Sequence, residues 1–186
     1  MSSESNGTLI RNGRIITATD DYIADILMLN GRIHTIGHQM EVGPDITVID
    51  ATGLYVFPGG VDSHVHLENV IGPTITCDTF ASGTRAAAFG GTTTIIDFAL
   101  QTDQDSPLGA LQRAQMIAEP QVNVDYSFHI IVTRVDEQVL KDVRHAMLHE
   151  GVTSFKMFMA YPGVMMADDA AIFQMLRQVG ADGGMI

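Results

Sequence analysis

After Pro58-Gly59-Gly60 the sequence repeats one alternation four times: a short apolar, β-branched run, then a segment carrying helix start and stop signals. Strand candidates fall at 61–67, 92–98, 124–132 and 152–159, and helix candidates at 79–89, 107–118, 136–149 and 168–179. Ser106-Pro107 supplies an N-cap and a first-turn proline, and Asp136 and Asp168 supply further caps. Gly90-Gly91 and Gly151 mark helix ends. Strands that are apolar on both faces, each followed by a helix, call for a parallel sheet, which is either doubly wound or closed into a barrel. The glycine-rich stretches lack the G-x-G-x-x-G spacing of a doubly wound nucleotide fold. An eight-unit barrel takes roughly 250 residues, or about 31 per unit. The stretch from Gly60 to Ile186 therefore holds about four units at that rate. Gly183-Gly184-Met185-Ile186 reads as the opening of a fifth strand.

The segment before Pro58 has a different rhythm. Runs 8–11 and 14–17 flank Asn12-Gly13, and runs 26–29 and 32–36 flank Asn30-Gly31. Asn-Gly tolerates the positive φ angles of a type I′ hairpin, so both sites predict hairpins. A third pair is expected at 46–49 and 54–57 around Ala51-Thr52-Gly53. The rhythm thus divides the chain into a small β-sandwich or part of one over 1–57 and a parallel βα portion over 58–186, which, if it closes as a (β/α)8 barrel, is the first half of one.

Charge and cysteine content narrow the function classes. The net charge is −12, which disfavours nucleic acid and anionic membrane surfaces as partners. Cys77 is the sole cysteine, so no intramolecular disulfide is possible. The first residues lack the basic and apolar regions of a secretory signal, and no apolar run reaches membrane-spanning length. A cytoplasmic protein is the expectation.

His64-Val65-His66 closes the first barrel strand. Residues i and i+2 of a strand point to one side, so both imidazoles project together at the strand end, where barrel active sites lie. Such a pair suits zinc or another borderline divalent metal. On spacing alone, a pair of surface histidines is an equally good reading.

The stretch from Phe57 through Pro58-Gly59-Gly60-Val61-Asp62-Ser63 to His64-Val65-His66 resembles the opening metal motif of the amidohydrolase superfamily, in its dihydropyrimidinase and D-hydantoinase branch. Gly90-Gly91-Thr92-Thr93-Thr94-Ile95-Ile96-Asp97-Phe98-Ala99 and Ser154-Phe155-Lys156-Met157-Phe158-Met159-Ala160-Tyr161 are similar to two further blocks of that branch, in the same order. The resemblance implies a metal-dependent barrel that opens the ring of a dihydropyrimidine or 5-substituted hydantoin to an N-carbamoyl amino acid. It implies two divalent ions, zinc foremost, held by His64, His66 and Lys156. Lys156 would be N6-carboxylated and bridge the ions. An unpaired ammonium in that apolar run would be costly to bury, and the neutral amine is the form that reacts with CO2. Tyr161 would donate to the substrate carbonyl as it gains negative charge. A homo-oligomer, tetramer or dimer, is implied too.

Further ligands and a catalytic aspartate are expected from later strands, so residues 1–186 alone are expected to be silent and prone to self-associate. Dihydroorotases resemble the chain but carry an arginine two residues after H-x-H. Here Glu68 stands in that place, and an uncharged ring fits better. The resemblance extends as well to allantoinases and to non-catalytic dihydropyrimidinase-related scaffolds. Asp97, His129, His145, His149, His34 and His38 read as structural. Cys77 reads as a small, buried hydrophobe, and Met157, Met159, Met165 and Met166 as core or pocket lining.

Overall fold

The computed structural model describes residues 7–102 and 104–186. Two compact units divide the chain, Met1–Pro58 and Gly59–Ile186.

Strands β1 (Gly7–Ile16), β2 (Asp21–Leu29), β3 (Arg32–Gly37), β4 (Ile46–Asp50) and β5 (Tyr55–Val56) form one mixed sheet in the first unit. Its order is β3-β2-β1-β4, with β5 also on β1. The hairpin expected at Asn30-Gly31 joins β2 to β3, and both residues adopt positive φ, 52° and 71°. The hairpin expected at Asn12-Gly13 does not form. β1 runs straight through, and Arg11 and Asn12 together face Asp25 across β2, a bulge rather than a turn. Gly13 serves a packing need instead, since a Cβ there would meet Val56 Cγ2 at 2.5 Å. The third expected pair is likewise corrected. β4 and β5 do not pair with each other, because each lies parallel to a different part of β1.

The second unit follows the alternating plan. Strands β6 (Gly60–Asp62), β9 (Thr92–Leu100), β10 (Asp125–Ile131) and β11 (Phe155–Lys156) lie parallel in the order β11-β10-β9-β6. A hairpin of β7 (Val70–Ile71) and β8 (Thr74–Ile75) precedes the first helix. An order that advances one neighbour per step is how a barrel winds, whereas a doubly wound sheet reverses direction part-way. Helices α1 (Phe80–Phe89), α2 (Pro107–Ala118), α3 (Glu137–His149) and α4 (Asp169–Ala181) link the strands. Each begins on a side-chain oxygen: Thr79, Ser106, Asp136 and Asp168 accept from the N–H groups of Ser82, Gly109, Val139 and Ala171. These caps satisfy helix donors that would otherwise lack partners.

The core lies between sheet and helices. Ile95, Ala99, Phe128, Ile130 and Phe155 meet Leu111, Val139, Val143, Met175 and Val179, all buried. At about 1.5–3 kcal/mol for each large side chain taken from water, this layer outweighs every surface ion pair in the unit. The first and fourth strands are shorter than the sequence predicts. Residues 63–66 have left the ladder, and only Phe155 and Lys156 keep it at β11. Beyond β11, Met185 bridges in parallel to Ser154, where a fifth strand is expected.

Candidate metal centre

Register decides what can converge. Phe98 of β9 lies beside His129 of β10, and Ile131 lies beside Lys156 of β11. Paired residues share a face and alternate residues repeat it, so Phe98, His129, Ile131 and Lys156 share one face. The opposite parity, Ile95, Asp97, Ala99, Phe128, Ile130 and Phe155, is buried throughout, whereas on the site face Ile131 is buried and Phe98, His129 and Lys156 are half-buried.

Phe98 is the floor of the site. The rings of His64 and His66 each lie 4.7 Å from its centroid, and His129 lies at 4.9 Å. Lys156 Nζ sits 4.4 Å above the same ring and 4.9 Å from that of Phe158. Thus the two histidines and the lysine named from sequence meet on a residue that sequence reasoning does not single out. The parity it shares with Ile96 and Leu100 is the available signal.

The donors are placed for a ligand. His64 is exposed, and His66 and Lys156 are half-buried. His64 and His66 have ring centroids 5.2 Å apart. The Asn69 side-chain amide donates to His66 Nδ1 at 2.9 Å. Among the described residues, no group pairs with His66 Nε2, with either ring nitrogen of His64 or with Lys156 Nζ. Burial, the Lys156 charge and then His64 hold the His66 imidazole below its usual pKa. It is therefore neutral at neutral pH, as a ligand must be. Unpaired imidazole nitrogens and a lysine gathered on one aromatic ring fit a divalent cation, with Lys156 lining a cavity beside each histidine. Among the described residues no three His, Cys, Asp or Glu side chains converge.

A buried carboxylate and a half-buried imidazole pin the approach to this site. Asp97 is 2% exposed, and its carboxylate accepts from Leu67 N at 2.9 Å and Phe98 N at 2.6 Å. Burial pushes its pKa up to about 6 against the pull of those two donors. His129 Nε2 lies 3.0 Å from the Ser63 carbonyl, and Nδ1 lies 2.5 Å from Ser154 Oγ. A carbonyl only accepts, so Nε2 carries the proton and the Ser154 hydroxyl donates to Nδ1.

A cleft of about 420 Å³ opens beside the cluster, lined among others by His66, Asn69, Leu100, Lys156, Phe158 and Tyr161. Tyr161 adopts φ 66°, a left-handed backbone unusual for a bulky side chain. Its carbonyl accepts from Val164, Met165 and Met166, which holds that conformation in place. The ring is exposed and packs edge-on against Phe158 at 5.6 Å.

Glu68 does not act as the sequence suggests. Its carboxylate turns to the start of α1 and accepts from Phe80 N at 3.1 Å, outside the cleft lining. No arginine lines that cleft. Cys77 is exposed, because its loop lies off the sheet. Met165 lines the cleft and Met157 packs on the core, whereas Met159 and Met166 are exposed. His145 and His149 lie on exposed positions of α3 with ring centroids 4.7 Å apart and planes tilted by 48°.

The amidohydrolase family model matches residues 55–178, which include His64, His66, Lys156 and Tyr161. The chain belongs to the amidohydrolase family. D-hydantoinase of Streptomyces coelicolor is 45% identical over 186 residues, and that of Geobacillus stearothermophilus 48% over 178. The alignments cover 98% and 93% of this chain but only 40% and 37% of those relatives. The crystal structure of dihydropyrimidinase from Brevibacillus agri superposes with a TM-score of 0.90 at 42% identity. It covers 96% of this chain and 38% of that one. This amidohydrolase segment thus spans about two-fifths of its relatives' length.

Proposed function

We propose that the polypeptide to which these residues belong hydrolyses the cyclic amide of a dihydropyrimidine or a 5-substituted hydantoin, giving an N-carbamoyl amino acid. One observation carries the reading: the His64 and His66 rings and Lys156 Nζ meet over Phe98, beside a cleft that Tyr161 lines. Relatives named D-hydantoinase and dihydropyrimidinase support it.

His64 and His66 would hold a divalent cation, zinc by preference, through neutral imidazoles. Lys156 would react as the free amine with CO2, forming an N–C bond and releasing one proton. The resulting carbamate offers two oxygens to two cations where the amine offered one nitrogen. When bound, such cations polarise a carbonyl and lower the pKa of water. Tyr161 donates from its phenol to the ring carbonyl oxygen as that oxygen becomes negative. Water adds to the carbonyl carbon with formation of a C–O bond, the ring C–N bond breaks, and a proton given up by that water goes to the leaving nitrogen.

The single sheet of the first unit is read as one layer of a composite sandwich. A homo-oligomer and a cytoplasmic location complete the proposal.

Ring opening of dihydrouracil, a 5-substituted hydantoin and dihydroorotate tests it. Turnover of the first two and not the third is expected, and turnover of dihydroorotate alone contradicts the reading. Residues 1–186 expressed alone are expected to show no turnover and to self-associate in sedimentation, since two histidines and one lysine are too few ligands to close a binuclear site.

A further inference from the structure

Residues 63–66, which carry both histidines, lie outside the strand ladder, so regular sheet hydrogen bonds do not fix them. Among the described residues, Val65 N reaches the Ile96 carbonyl at 3.3 Å, and His64 N reaches the Asp62 carboxylate just before it at 3.1 Å. The segment's two flanks are instead fastened by side chains from the next two strands. On one flank, Ser63 gives its carbonyl to His129 Nε2–H of β10 at 3.0 Å. On the other, Leu67 N–H donates to the Asp97 carboxylate of β9 at 2.9 Å.

Resting on the amidohydrolase reading above, we propose that Asp97 and His129 are positioning residues, a two-sided clamp that sets the His64–His66 spacing for a metal ion. Asp97 lies on the opposite, buried parity and His129 on the face of Phe98 itself, and each acts through the backbone on one side of the pair. His129 does a second thing. Through its other nitrogen it accepts from Ser154 Oγ at 2.5 Å, two residues before Lys156. One imidazole therefore ties the histidine segment to the strand that carries the lysine. Its ring lies 4.9 Å from Phe98, on which His64, His66 and Lys156 also rest. Asp97 carries the matching link, because its second oxygen accepts from Phe98 N at 2.6 Å. Both clamp residues thereby hold the histidine segment to the common platform.

The test compares Asp97→Asn, His129→Gln and Ser154→Ala with wild type in the longer polypeptide to which these residues belong, using zinc affinity by chelator competition and amide exchange of the metal-free protein. Asp142→Asn is the control, a buried carboxylate on α3 bonded to Gln138 at 2.8 Å and remote from the cluster. Losing a partner that orients a metal ligand costs about 10–100-fold in affinity. Asp97→Asn and His129→Gln should show such a loss, and Ser154→Ala a smaller one that Ser154→Thr restores. Leu67 N–H should exchange at least tenfold faster in metal-free Asp97→Asn while the helices keep their protection. Asp142→Asn should lower the melting temperature and leave zinc affinity alone. Equal zinc affinity in wild type, Asp97→Asn and His129→Gln overturns the clamp and spares the reading of the site. No zinc uptake by wild type overturns that reading, and the clamp's purpose with it.

Discussion

Two buried aspartates, one in each unit, do the same local job and titrate in opposite directions. Asp25 in the sheet unit and Asp97 in the βα unit are each 2% exposed. Each carboxylate accepts two backbone N–H groups, from Asn12 and Met40 in one case and from Leu67 and Phe98 in the other. Asp25 is held below the usual carboxylate range, first by those donors and then with help from Arg11 and His38. Asp97 is pushed up to about 6, because burial outweighs its two donors and no cation helps. The latch at the bulge is stable as an anion. The latch at the site holds its anion at a cost, as groups around functional centres often do.

Substitutions in the two units should therefore fail in different ways. Lys156→Ala should have the largest effect: turnover falls below detection and zinc content drops, while the melting temperature stays near wild type. Normal zinc content would remove Lys156 from the site. Tyr161→Phe comes next, with kcat lower by roughly 10²–10³ and zinc content unchanged. A rate near wild type would make the Tyr161 ring a rim residue only.

In the sheet unit, Asp25→Ala takes the acceptor from two part-buried N–H groups, of Asn12 and Met40, at up to about 1–3 kcal/mol each. It should lower stability at neutral pH, read as earlier loss of amide protection in β1 and β2. The pH dependence sharpens the contrast. A lowered carboxyl stabilises the fold above its unfolded value of 3.8 and loses that contribution as pH falls through the folded value. The gap between wild type and Asp25→Asn should thus close in acid. A raised carboxyl does the reverse, so wild type should gain on Asp97→Asn as pH falls from about 6 toward 3.8. Parallel slopes for the two variants would erase the distinction.

The contrast also shows what is legible in sequence. Strand and helix order in the second unit is readable because caps and stops are local: Ser106-Pro107, Asp136, Gly151 and Asp168 all act where they stand. His64, His66, Lys156 and Tyr161 are readable by resemblance to known blocks. Asn12-Gly13 misleads because the same dipeptide answers two needs. At Asn30-Gly31 it turns the chain, whereas at Asn12-Gly13 it makes a bulge latched by Asp25, with a glycine cleared for Val56. Nothing within a few residues distinguishes them. Asp97 and His129 read only as structural in the sequence, since their partners at Leu67, Ser63 and Ser154 are far away along the chain. Glu68 reads as facing the substrate, but Phe80 N claims its carboxylate instead.

The central claim is that Lys156 is a carbamate-forming ligand beside His64 and His66. The most direct measurement is ¹³C NMR of the zinc-loaded protein prepared in ¹³C-bicarbonate. A carbamate carbon signal in wild type that is missing from Lys156→Ala, and lost when zinc is chelated, is the expected result. A wild-type protein that holds zinc and shows no such signal would contradict the account.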